Sequence, residues 1–154
     1  WAVGEGDSAR RAGVRVGRTL DRGGSPARVS EPKPTVLVVD DAPENITIAA
    51  GALSSRFRVR AATTGAHALT ICRSADPPLL VLLDVVMPGM DGLEVCRQLK
   101  ADPSTSSIPV IFVTGQSAEA EVDQCLALGA AEFIFLGDWL PTMDLRPLLS
   151  FPWW

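Results

Sequence analysis

The stretch LLVLLDVVMPGMDGLEVCRQLK, residues 79–100, changes character twice along its length. Leu79–Leu83 is an unbroken apolar run, and a run this short is the pattern of a strand buried on both faces. Asp84 ends it abruptly. A loop follows, punctuated by Pro88 and Gly92. Leu93, Cys96, Arg97 and Leu99 then line up on a helix that stops before Pro103. A buried strand, an acidic end, a loop and a covering helix make up the unit that parallel sheets repeat.

The unit recurs on either side. Upstream, Val36–Val39 is a β-branched apolar run ended by Asp40 and Asp41; Pro43 suits a first helical turn, and Ile46, Ala49, Ala50 and Leu53 follow at helical spacing. Phe57–Ala61 reads as a second strand and Ala66–Ala75 as a second helix. Downstream, Val110–Val113 is a fourth strand ending in Thr114-Gly115. Ala118–Leu128 is a fourth helix, with Val122, Cys125 and Leu126 inward and Gly129 closing it. Glu132–Leu136 is a fifth strand. Alternation of this kind predicts right-handed crossovers and a doubly wound α/β fold, a five-stranded parallel sheet covered on both faces. A fifth helix is expected next, but GDWLPTMDLRPLLSFPWW (137–154) contains Pro141, Pro147 and Pro152, leaving room for about one or two helical turns. That helix is expected to be missing or irregular.

Residues 1–34 are rich in Gly, Arg, Ser and Pro without periodic apolar positions, and are expected to be a disordered tail. Three segments result: the tail 1–34, a domain 35–136 and an atypical segment 137–154. Trp139, Trp153 and Trp154 crowd the last of these, which suggests a frame change or junction near Leu136. Apolar residues make up 47% of the 154-residue chain and charged ones 21%, an ordinary globular balance. The net charge of −4 is unevenly placed: the tail carries seven Arg/Lys against four Asp/Glu, and the remainder seven against fourteen. An acidic body argues against a nucleic-acid groove in this domain and suits a cation. The Arg-rich tail reads as a solvated segment, contact with nucleic acid or membrane being the alternative. Cys72, Cys96 and Cys125 have no metal or redox spacing and read as buried apolar residues in a reducing compartment. With no apolar run long enough to cross a membrane and no secretory signal, a soluble cytoplasmic protein is expected.

In an open parallel sheet, ligands bind beyond the carboxyl ends of the strands. Asp40 and Asp41 end strand one, Asp84 ends strand three and Thr114 ends strand four. Taken singly, each has a bland reading: the acidic pair as a helix N-cap, Asp84 as a turn residue, Thr-Gly as a turn. Together they place three carboxylates in one crevice, where they repel unless protons or a cation intervene. Hard oxygen donors favour Mg²⁺, and a carboxylate beside such an ion can attack phosphorus to form an acyl phosphate. The Thr114 hydroxyl is placed to donate to that phosphoryl group.

The segments VLVVDDAPENI, LLVLLDVVMPGMDGLEVCRQLK, IPVIFVTG and LGAAEFIF closely resemble the receiver domain of bacterial two-component response regulators, the CheY-like superfamily, over about residues 35–135. The motif set is specific: an acidic pair, an Asp followed by MPGMDG, and a Thr 30 residues after that Asp. The resemblance implies a flavodoxin-like strand order 2-1-3-4-5. It implies that Asp84 is the phosphoacceptor, and that Mg²⁺ is held by Asp40, Asp41, Asp84 and the backbone carbonyl of Val86. Thr114 matches the switch hydroxyl, Phe133 the aromatic residue that changes rotamer with it, and Pro88 and Gly92 the loop-shaping positions. A histidine kinase would be the phosphoryl donor, and an output domain or downstream protein the recipient of the signal. Where the family places a Lys followed by Pro after strand five, this chain has Leu136 and Gly137. Three functions follow. The first is a phosphoacceptor switch, not an enzyme beyond assisting its own phosphorylation and dephosphorylation. The second is a phosphorylation-independent interaction domain. The third is a Mg²⁺-dependent phosphatase or phosphotransferase, for which a second acid and a substrate pocket are not visible.

Overall fold

The structure is a computed structural model that describes residues 32–114 and 119–135. Nearly all of the expected tail, Leu136 and the segment 137–154 with its expected irregular helix lie outside the described residues. Nine elements alternate: β1 (Thr35–Val39), α1 (Pro43–Leu53), β2 (Arg58–Ala62), α2 (Gly65–Cys72), β3 (Leu80–Leu83), α3 (Gly92–Ala101), β4 (Val110–Thr114), α4 (Glu119–Ala127) and β5 (Glu132–Phe135). The strands form one sheet in the order β2-β1-β3-β4-β5, and every pairing is parallel. This is the expected doubly wound fold, with the reversal of strand order at β1 and β3.

Successive residues of a strand face opposite sides of a sheet, and the core divides accordingly. Leu37, Val39, Val81, Leu83, Val110 and Phe112 pack with residues of α2 and α3 and with Cys125 of α4. Val36, Val38, Leu80, Leu82 and Ile111 pack with Ala49 and Leu53 of α1 and with Phe57. All five residues of β1 and all four of β3 are buried, which is why these segments read as continuous apolar runs.

Each helix end has a local cause. Pro43 opens α1 after Ala42, which supplies no side-chain cap. Thr64 caps α2 by accepting from the His67 N–H, and Asp91 caps α3 by accepting from the Glu94 N–H at 2.8 Å. Helix α4 closes in a Schellman motif: Gly129, at φ +89, donates to the Leu126 carbonyl and Ala130 to that of Cys125, bonds that satisfy two terminal carbonyls.

The differences from expectation are local. Strand β2 begins one residue late, because the Phe57 amide donates to the Leu53 carbonyl and its ring is buried beside Leu53. Helix α2 ends at Cys72, not Ala75, since the Ser74 hydroxyl and amide both turn back to the Ile71 carbonyl. Leu126 is 49% exposed, not inward; Cys125 takes the core position and the next residue is rotated about 100° away. On α3, Val95 is inward beside Cys96 and Leu99 while Arg97 faces solvent. The three cysteines are buried. Among the described residues no helix is long and apolar enough to cross a membrane.

Candidate functional site

Two strand ends deliver the acidic residues. The Asp40 amide donates to the Ala62 carbonyl at 3.2 Å and the Asp84 amide to the Val39 carbonyl at 2.9 Å, so each main chain extends its ladder by one bond beyond the strand. The side chains emerge at the carboxyl edge of β1 and β3, joined by Asp41. Carboxylate oxygens of Asp40, Asp41 and Asp84 all lie within 4.8 Å of one another.

The three are differently held. Asp40 is only 9% exposed; its Oδ1 accepts from the Ala42 N–H at 2.8 Å and its Oδ2 from Asn45 Nδ2 at 3.0 Å. Asp41 is exposed. The α1 N-cap is Ala42, so neither member of the acidic pair occupies that cap. Asp84 is half-buried, with the Val86 N–H donating to its Oδ1 at 3.4 Å. Burial, and then the neighbouring Asp40 charge, push the Asp84 carboxyl up from 3.8 to about 6; Asp41 adds to this, and the Val86 and Val85 amides oppose it. Negative charge is therefore crowded here, and no cationic side chain among the described residues offsets it at Asp84. Three hard oxygen donors at this spacing fit Mg²⁺.

The loop after β3 is pinned by alternation: Val85 and Met87 enter the core, while Val86, 56% exposed, and Pro88 face outward. It then folds back so closely that a Cβ on Gly92 would stand 2.0 Å from the Asp84 carbonyl oxygen, and the Gly92 amide donates to the Val85 carbonyl at 2.9 Å. Gly89 takes a φ of +77 in this turn, a conformation natural to glycine. Thr114 closes β4 in register with Phe135, at the same edge of the sheet as Asp40 and Asp84, and Phe133 lies opposite Phe112. Leu136 lies outside the described residues.

A small cavity of about 20 Å³ opens between the ends of β1, β3 and β4 and helix α1, with Asp40, Asn45, Ala49, Asp84 and Val113 in its lining. Its size suits a single water. Asn45 was not singled out by the sequence reading; the available signal was an amide five residues after Asp40, on the first turn of α1. Both lysines are engaged elsewhere: Lys33 Nζ donates to the Ser54 carbonyl at 2.7 Å, and Lys100 Nζ to those of Ser106 and Ile108 at 3.1 and 2.8 Å.

Known proteins resemble this chain in sequence and in fold. The family described as the response regulator receiver domain matches residues 36–135. A protein of Vibrio cholerae named as a probable cyclic di-GMP phosphodiesterase is 42% identical over 113 residues, covering 73% of this chain and 25% of that protein. The chain thus spans about a quarter of that relative's length. The two-component response regulator ORR11 of Oryza sativa is 31% identical over 134 residues, 86% of each chain. Among solved structures, the chemotaxis protein CheY4 of Vibrio cholerae superposes with a TM-score of 0.68 at 23% identity, covering 76% of this chain and 97% of that one, a likeness of fold.

Proposed function

The chain belongs to the response regulator receiver domain family of two-component signalling, and from that premise we propose that it accepts a phosphoryl group on Asp84 from a phosphohistidine of a histidine kinase. The observation that carries this reading is the meeting of Asp40, Asp41 and Asp84 at the carboxyl edge of β1 and β3, with their oxygens within 4.8 Å. Asp40, Asp41, Asp84 and the Val86 carbonyl would hold Mg²⁺. Bound there, the ion supplies positive charge against the carboxylates and the phosphoryl oxygens. An oxygen of ionised Asp84 attacks phosphorus, the P–N bond of the donor breaks, and its electron pair returns to the imidazole. Asp40 and Asp41 take no covalent part. The Thr114 hydroxyl donates to the new phosphoryl oxygens, and Phe133 follows its movement.

The domain, residues 35–136, acts as a switch and turns over no separate substrate. The tail 1–34 and the segment 137–154 flank it, and a cytoplasmic location follows from the kinase it serves. The recipient is an output domain or a downstream protein. Leu136, where the family carries lysine, favours a second reading, a receiver that binds partners without phosphorylation. Incubation with acetyl phosphate and Mg²⁺, followed by intact mass measurement, separates the two. Gain of one phosphoryl group, absent in Asp84→Asn, is the expected result. An unchanged mass under saturating conditions selects the second reading.

A further inference from the structure

Asp40 is the most enclosed member of the acidic cluster, and both of its oxygens are engaged. The bond from the Ala42 amide at 2.8 Å comes from main chain and accompanies the turn into α1. The bond from Asn45 Nδ2 at 3.0 Å depends on the side chain present. Asn45 is the third residue of α1, half-buried, and shares the lining of the small cavity with Asp40 and Asp84. Asn in a helix usually competes with the backbone for hydrogen bonds, yet this amide reaches back across the helix start to the strand end. A neutral donor suits the position. It orders an anion without adding charge, whereas a Lys or Arg would neutralise the cluster and compete with a cation. An apolar residue would leave Asp40 Oδ2, in a place 9% exposed, without that donor.

We propose that Asn45 is a positioning residue of the cluster, holding Asp40 in a single orientation so that its carboxylate meets a divalent cation already ordered. This rests on the reading of the cluster as a Mg²⁺ site. Exposed Asp41 makes no hydrogen bond among the described residues, so its ordering accompanies cation binding. Fixing Asp40 beforehand removes part of that ordering cost.

The test is calorimetric titration of the full chain with Mg²⁺. Asn45→Ala deletes the amide and favours the helix; the expected result is a fall in Mg²⁺ affinity of about tenfold, the worth of one hydrogen bond to a charged group. In an Asp40→Asn background the same substitution is expected to change nothing further, because Asn45 acts through Asp40. Unchanged affinity in Asn45→Ala overturns the proposal, and so do losses that simply add in the double variant, since a purely structural role would give either. If Asn45→Ala does not fold, Asn45→Ser, whose hydroxyl is too short to reach Oδ2, goes through the same cycle. An unaltered chain that binds no Mg²⁺ defeats the metal reading itself, whereas equal binding by the unaltered chain and the variant defeats only the role of Asn45.

Discussion

Asp84 registers its surroundings in its own ionisation. Burial, then Asp40, raise its carboxyl from 3.8 to about 6, so the folded chain holds that proton more tightly than the unfolded one. Stability from this source is fully present below 3.8 and is lost as pH rises through about 6. Because Asp84 is only half-buried, solvent screening reduces the loss at neutral pH to on the order of 1 kcal/mol. Asp84→Asn is therefore expected to raise the metal-free melting temperature at neutral pH and to leave it nearly unchanged in acid. Coincident melting curves at neutral pH would contradict the crowding. The place of Asp84 was legible in the sequence, because a polar residue ending a buried apolar run must lie at a strand end. Mutual repulsion, which helps to raise its pKa, was legible too, in three acidic residues at two strand ends; burial, the larger cause, was not, because it depends on a loop folding back. Asn45 was illegible for a similar reason: its partner is a strand end, and an Asn in a first helical turn has many ordinary readings.

At the scale of elements, two glycines make opposite predictions. Gly51 lies within α1, where an added Cβ meets nothing within 4 Å; Gly51→Ala should stabilise the protein by about 0.5–1 kcal/mol through the entropy of the unfolded chain. Gly92 opens α3 against the Asp84 carbonyl, and Gly92→Ala should destabilise by about 1–3 kcal/mol as the loop is forced outward. Urea denaturation of both variants checks the pair, and a Gly92→Ala protein as stable as the unaltered chain would show that the loop does not need its close approach. The strands were legible because sheet burial on both faces leaves no polar residue within β3 and only Thr35, at its start, within β1. Helix faces were less so. Helix α4 mixes apolar and charged residues, so two adjacent apolar positions, Cys125 and Leu126, competed for one inward direction. The end of α2 turned on a serine hydroxyl, which apolar periodicity does not record.

For the whole molecule, strand order was legible only through resemblance; alternation of elements predicts a parallel sheet but not which strands are neighbours. The lysine position has a molecular consequence, because phosphorylation adds about −2 of charge beside Asp40 and Asp41, and both lysines are already engaged elsewhere. Leu136→Lys with Gly137→Pro should raise the extent of phosphorylation by acetyl phosphate, through a charge-assisted bond worth roughly 1.5–3 kcal/mol. Intact mass at fixed donor concentration measures it, and equal labelling of the two proteins would contradict this account. The engagement of those lysines has one more effect. Lys33 and Lys100 sit toward the amino ends of the strands, where Arg58 and Arg73 are ion-paired with Asp76 and Asp102, while Asp40, Asp41, Asp84 and Asp91 at the carboxyl ends have no ion pair among the described residues. Among the described residues, uncompensated negative charge is therefore gathered at the carboxyl edge of the sheet. A positively charged body approaching within a Debye length, about 10 Å at 0.1 M salt, draws that edge toward it before any atom touches.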